Sequence, residues 1–142
     1  MTDEQAAWLH AQIDEDERTA LRVPEKDRTW ALDGTIHAGN PPDDVVDWVY
    51  IDGAAEHMAL NDPSRTLREV AFKRTILDIH RRRADVYPDS AGWSSDNCCH
   101  GCGYEGDCDD PVVANVNDCP ERRALAAVYD DRPGYQEMWG EQ

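Results

Sequence analysis

The sequence predicts an α+β fold: a small three-stranded antiparallel sheet packed against a long central helix and N- and C-terminal helices, with a cysteine-rich metal-binding loop. Three observations predict it. Segments of helical apolar spacing flank a stretch of short β-type runs broken by turn residues. Residues 63–83 form a basic helical pattern that starts at an Asp-Pro pair. Five cysteines, Cys98, Cys99, Cys102, Cys108 and Cys119, crowd into 22 residues after none in the first 97.

The elements follow in order along one expected domain, residues 1–142. Thr2 with Gln5 three residues later has the form of a capping box, and Leu9, Ile13 and Ala20 then recur near helical spacing until Pro24. Residues 3–22 are therefore expected to be an acidic amphipathic helix, with Asp14-Glu15-Asp16-Glu17 on its solvated face. Residues 29–51 should hold the sheet. Trp30-Ala31-Leu32 and Thr35-Ile36-His37 flank Asp33-Gly34, a dipeptide that favours a hairpin turn, and Val45 to Ile51 is a third β-rich run. A short helical turn is expected within Gly53 to Leu60. Asp62-Pro63 supplies an N-cap and a proline at the first helical position for the long helix, 63–83. Its apolar residues, among them Leu67, Val70, Phe72, Ile76, Leu77 and Ile79, fall on more than one stripe, so packing on two sides is expected. Residues 84–119 form a cysteine-rich loop too long to be structureless in a compact domain unless something orders it. Cys119-Pro120 then opens the C-terminal helices, 120–139, with the terminal aromatics read as core residues.

Formal net charge is −16, from 30 acidic and 14 basic residues, and hydrophobic residues make up 40%. Such a field repels nucleic acid and anionic membrane, so direct binding to either is not expected. Residues 1–62 hold 15 acidic and 4 basic side chains, residues 63–83 hold 2 and 7, and residues 84–142 hold 13 and 3. The basic segment includes Arg81, Arg82 and Arg83, candidates for an anion or partner contact, although a solvated and internally paired helix face explains them with fewer assumptions. No basic leader precedes an apolar stretch, so a cytoplasmic protein is expected.

Clustered cysteines in a reducing compartment are metal ligands more often than disulfides, and five cannot all pair. In Cys99-His100-Gly101-Cys102-Gly103 the two-residue spacing lets two thiolates converge on one ion. Cys99, Cys102, Cys108 and Cys119 make four ligands for one structural Zn²⁺, with Cys119 at a helix N-terminus whose dipole favours a thiolate. Cys98 and His100 are alternative ligands. Four thiolates close the coordination sphere and leave no position for substrate. No phosphate loop, nucleophile elbow or paired zinc-protease histidines are present, so an enzyme is not expected. His37, His57, Asp62 and His80 remain as isolated polar candidates, and helix capping and helix-end charge already account for Asp62 and His80.

The segments Ala7-Trp8-Leu9 through Glu17, Glu56 to Pro63 leading into Glu69 to Asp78, Cys99 to Gly103, and Asp118-Cys119-Pro120-Glu121 with Tyr129 to Trp139 carry a resemblance. Together they resemble a family of small acidic proteins of unknown function, common in actinobacteria and their phages. The resemblance implies that Cys99, Cys102 and Cys119 act as a set. Many members of the family it resembles place a histidine a few residues before the last cysteine, where this chain has Asn115-Val116-Asn117, and that difference favours Cys108 as the replacement. It also implies a cytosolic accessory protein with no established activity. The spacing of Cys99, Cys102 and Cys108 is similar, too, to that of small actinobacterial iron–sulfur transcription regulators, but the upstream cysteine, glycine-rich turn and basic tail of those proteins are absent.

The leading expectation is thus a non-enzymatic, zinc-stabilised acidic protein that meets a protein partner. A DNA mimic that occupies a basic nucleic-acid-binding protein, and an iron–sulfur or thiol redox sensor, are the alternatives from other classes.

Overall fold

The computed structural model describes residues 3–32, 36–38, 44–47, 53–83, 97–106 and 110–140, the strands between residues 31 and 47 by their backbone alone. The chain divides into two compact units, one of Met1–Gln12 with Lys73–Gln142 and the other of Ile13–Phe72.

Helix α1, Glu4–Leu21, begins one residue later than the capping-box pattern implies. Asp3 is its cap: the carboxylate accepts from the Ala6 N–H at 3.0 Å, and the Asp3 carbonyl accepts from Ala7. Thr2 lies outside the described residues. Leu9, Ile13 and Ala20 are buried, as their spacing predicts.

In the second unit, strand β1, Trp30–Leu32, pairs antiparallel with β2, Ile36–Ala38, and β2 pairs antiparallel with β3, Asp44–Asp47. A register shift between Ile36 and His37 marks the second ladder. The Asp33-Gly34 turn and the part of the third run from Trp48 to Ile51 lie outside the described residues. Helix α2, Ala54–Leu60, lies against β1 and β2. The expectation put the long helix under the sheet, whereas the short one takes that place. The long helix α3, Pro63–Ile79, is tied to the sheet by its cap instead. One Asp62 oxygen accepts from the Arg65 N–H at 2.7 Å, the other from the Trp30 N–H at 3.1 Å. A single buried carboxylate therefore starts a helix and holds the first residue of a strand.

Two expectations for α3 are corrected. Val70 and Leu77 are buried, two turns apart, while Phe72 and Ile79 stay exposed, so the apolar residues form one narrow buried stripe rather than two packed sides. The helix also stops at Ile79 and not near Arg83. Beyond His80 the backbone leaves the helix to pair with the cysteine loop: the Arg83 N–H donates to Cys98 O, the His100 N–H donates to Arg81 O, and Arg82 forms an antiparallel bridge with Cys99. These bonds satisfy backbone groups that a longer helix would have used within itself.

The first unit also holds a two-stranded ladder inside the cysteine-rich loop, β4, Tyr104–Glu105, with β5, Asp110–Pro111. A 3₁₀ turn, Val116–Asp118, leads to α4, Pro120–Ala127, and then α5, Tyr135–Trp139. Tyr129 and Trp139 are buried, and Trp8 meets Tyr129 edge-on at 6.4 Å between ring centroids. Arg122, on α4, is fully buried and holds Asp3 with two hydrogen bonds of 2.7 and 3.0 Å. Among the described residues no helix is long and apolar enough to cross a membrane.

Candidate metal centre

The site is built where three backbone segments meet. The first is the residue that follows α3: the His80 N–H makes the last helical bond, to Ile76 O at 2.9 Å, and the side chain projects beyond the helix end. The second is the turn from Cys99 to Cys102. It is pinned on both sides, by the Arg82 bridge and by the Cys99 N–H donating to Val113 O at 3.0 Å. Gly103 closes the turn with φ +76°, a conformation that side chains disfavour. The third segment is the start of α4, where the Cys119 N–H donates to Val116 O at 3.1 Å, and Pro120 follows as the first helical residue.

Gly101 is needed for a different reason. A Cβ there would stand 2.7 Å from Ile79 O and 2.9 Å from His80 Nδ1, so the turn sits directly on the end of α3 and leaves no room for any side chain.

Four donor atoms converge: His80 Nδ1 and the sulfurs of Cys99, Cys102 and Cys119 all lie within 4.8 Å of one another. The nitrogen is 3.5 Å from Cys99 Sγ, 3.7 Å from Cys102 Sγ and 3.5 Å from Cys119 Sγ. Cys119 Sγ is 3.5 Å from Cys99 Sγ and 3.7 Å from Cys102 Sγ. Zn–S bonds of about 2.3 Å and a Zn–N bond of about 2.0–2.1 Å at tetrahedral angles would put sulfurs about 3.8 Å apart and nitrogen about 3.6 Å from sulfur. The five separations match the edges of that tetrahedron. They are far longer than a disulfide bond of about 2.05 Å. They also surround room for one ion, not for the several irons and bridging sulfides of a cluster.

Burial grades across the group. Cys99 and Cys119 are fully buried and pack with Val116, and Cys102 and Val113 lie partly buried against them. His80 is 12% exposed. Burial, and then the neighbouring Cys99 and Cys119 sulfurs, push the Cys102 thiol well above its ordinary value. Burial also pushes the Cys119 thiol up, to about 11. The helix-start effect expected at Cys119 is present as a bond from the Arg122 N–H, which favours the thiolate, but burial outweighs it. Packed this closely, the sulfurs favour protons or a cation over a set of bare thiolates.

One more side chain reaches the group. Glu121, the second residue of α4, places Oε2 3.3 Å from Cys119 Sγ, 3.5 Å from Cys102 Sγ and 3.6 Å from His80 Nδ1. Bonds from its own backbone N–H and from Cys119 hold its carboxyl below the usual carboxylate range.

Of the cysteines singled out by spacing, Cys99, Cys102 and Cys119 come together, and Cys108 lies outside the described residues. Histidine 80, which spacing treated as a helix-end residue, occupies the fourth corner. Its signal was its position just after the last helical apolar residue, but nothing in the sequence says that the chain turns back there to meet the loop. The alternative ligands stand elsewhere. Cys98 is buried with its sulfur 3.4 Å from Tyr104 Oη, and His100 is exposed, held by its backbone to Arg81. Two of the three arginines proposed for an anion contact use their side chains within the protein. Arg81 donates to Asp78 O, Arg83 donates to Tyr104 Oη and lies over that ring, and their backbones serve the bridge to the loop.

Fold and site together define a mixed helix-and-sheet protein with a His/Cys₃ cluster at metal-binding distance. The chain belongs to DUF6221, a family of unknown function, whose model matches residues 2–141. No curated protein and no solved structure matches it.

Proposed function

We propose that this chain is a non-enzymatic cytoplasmic interaction protein whose cysteine-rich unit is held together by one structural zinc on His80, Cys99, Cys102 and Cys119. The observation that carries the reading is the set of five donor separations of 3.5–3.7 Å, which matches a tetrahedral His/Cys₃ site. Bound there, zinc supplies cross-linking and charge neutralisation. His80 brings in the end of α3, Cys99 and Cys102 the loop, and Cys119 the start of α4, so the ligands add a cross-link to the backbone bonds between α3 and the loop and to the small apolar cluster around Cys99 and Cys119.

Four protein ligands complete the tetrahedron, which supports a structural role over a catalytic one. The net charge of −16 then favours a basic protein surface as partner. The test uses untagged protein purified without chelator. Elemental analysis should find about one zinc per chain and no iron, with Cys102→Ser and His80→Ala both losing it. Metal-free protein with an unchanged melting temperature overturns the zinc reading, and iron with a visible chromophore replaces it with the redox alternative. Affinity capture at low and high salt tests the partner. A salt-sensitive basic nucleic-acid-binding protein in the low-salt eluate favours the DNA mimic.

A further inference from the structure

The four donors are not equally open to water, and the difference has a direction. Cys99, fully buried like Cys119, stands at one corner. The face opposite it is made by Cys102, Cys119 and His80, and over that face lies Glu121 Oε2, 3.3–3.6 Å from all three donors. The Glu121 side chain is 47% exposed, whereas that of His80 is 12% exposed. A carboxylate in this place is not needed to complete the tetrahedron, and beside thiolates that hold a divalent ion it adds one more negative charge. Among the described residues it is, however, the one hard, exposed anionic donor that touches three of the four ligands.

We infer that Glu121 is the entry ligand of this site, the group that first receives a divalent cation from solvent and hands it to the buried donors. The inference rests on the metal reading above and deepens it. An incoming cation reaches the solvated carboxylate before any sulfur. From there each exchange of oxygen for sulfur or nitrogen spans less than 4 Å, and Cys99, at the corner opposite the carboxylate, closes the sphere last. Departure retraces the same steps, with the carboxylate holding the ion as a sulfur lets go. A group used in this way changes both rates by the same factor and leaves the equilibrium affinity unchanged. The zinc is then exchangeable on a useful timescale, although all four permanent ligands are protein groups.

The experiment uses the zinc-loaded full chain. Cadmium is added, its entry is followed by the ultraviolet absorbance of cadmium–thiolate bonds, and the displaced zinc is read with a colorimetric chelator. Glu121→Gln keeps the side-chain shape and removes the charge, and Asp130→Asn removes one exposed charge from the same unit as a control for the general field. Glu121→Gln should slow cadmium entry by about tenfold, the low end of what local electrostatic focusing supplies, and zinc release by the same factor because both directions pass through the same transient carboxylate ligation. Affinity from competition titration and the melting temperature of the zinc form should stay as in the parent, and Asp130→Asn should exchange at the parent rate. Equal rates in the parent and Glu121→Gln overturn the inference while leaving the zinc site intact. Faster release with weaker affinity also overturns it, because Glu121 is then a permanent ligand. Slowing by Asp130→Asn to the same extent assigns the effect to overall charge and overturns it as well. If the parent takes up neither metal, the zinc reading itself fails.

Discussion

The Asp3–Arg122 pair and the His80–cysteine cluster lie in the same compact unit and join segments far apart in sequence, but only the pair is complete in its own charges. Arg122 is 1% exposed and Asp3 19%, and two hydrogen bonds pair the Nη1 and Nη2 atoms of the guanidinium with the two carboxylate oxygens. The cluster brings together groups of like character. Two of its thiols are pushed toward their neutral forms by burial and crowding, and nothing among the described side chains supplies a cation to hold them. The contrast shows two ways to fix a small core: a charge pair carried by the chain, and a donor set that waits for a charge from outside.

The largest expected effect breaks the second kind of link. Structural zinc contributes about 10–16 kcal/mol of apparent binding energy in small metal-folded units. Chelation, or His80→Ala, should therefore cost several kcal/mol, lost near-ultraviolet circular dichroism and a lowered melting temperature being the readouts. Zinc should restore the chelated parent but not the variant. A melting curve indifferent to chelator would make the cluster an incidental packing of thiols.

Breaking the first kind of link should cost less, and it should show a pH signature. Asp3→Asn leaves a buried guanidinium without its partner, an expected loss of about 3 kcal/mol in denaturant unfolding at neutral pH. Burial alone would raise the Asp3 carboxyl, but the Arg122 hydrogen bonds, the Ala6 N–H and the charge of Arg122 outweigh it and hold it below its ordinary 3.8. Its contribution is then fully present above that ordinary value and lost as pH falls through the depressed one. The gap between parent and Asp3→Asn should accordingly narrow only below about pH 4. A gap that does not change in acid would show that ionisation of Asp3 is not what stabilises the fold.

Gly101→Ala sharpens the comparison at the point where loop and helix touch. The added carbon must displace Ile79 O or His80, and overpacking of this kind costs about 1–3 kcal/mol. Because His80 is one of the displaced groups, the variant should also bind metal more weakly, as competition titration can measure. Loss of stability with unchanged metal affinity would separate the turn's packing from the site. The smallest effect is expected in the other unit. Asp62→Ala removes the α3 cap and the Trp30 tether, at about 1–2 kcal/mol, with zinc content unchanged.

Much of the architecture was legible because it rests on local rules. The Leu9, Ile13 and Ala20 spacing marked α1, and Asp62-Pro63 marked the start of α3 for the reason the structure bears out, a carboxylate that accepts the third helical N–H. The pattern misjudged the end of α3 because nothing local stops a helix at His80. The stop comes from Cys98 to His100, which are distant in sequence and compete for the backbone of Arg81 to Arg83. Phe72 and Ile79 misled for a related reason: apolar character says that burial is favourable, not that a neighbour is there to provide it.

By itself the sequence determined the α+β content, the start of α3, the acidic charge and three of the donors, two of them, Cys99 and Cys102, by short-range spacing. Only the tertiary structure decided the fourth donor, the Glu121 carboxylate over the exposed face and the partner of Arg122. Caps, turns and the Cys99–Cys102 spacing are set within a few residues, where covalent geometry limits the choices. His80 and Cys119 are 39 residues apart, and Asp3 and Arg122 are 119 apart. At such separations the chain's connectivity no longer limits which groups meet, and packing of the whole unit makes the choice.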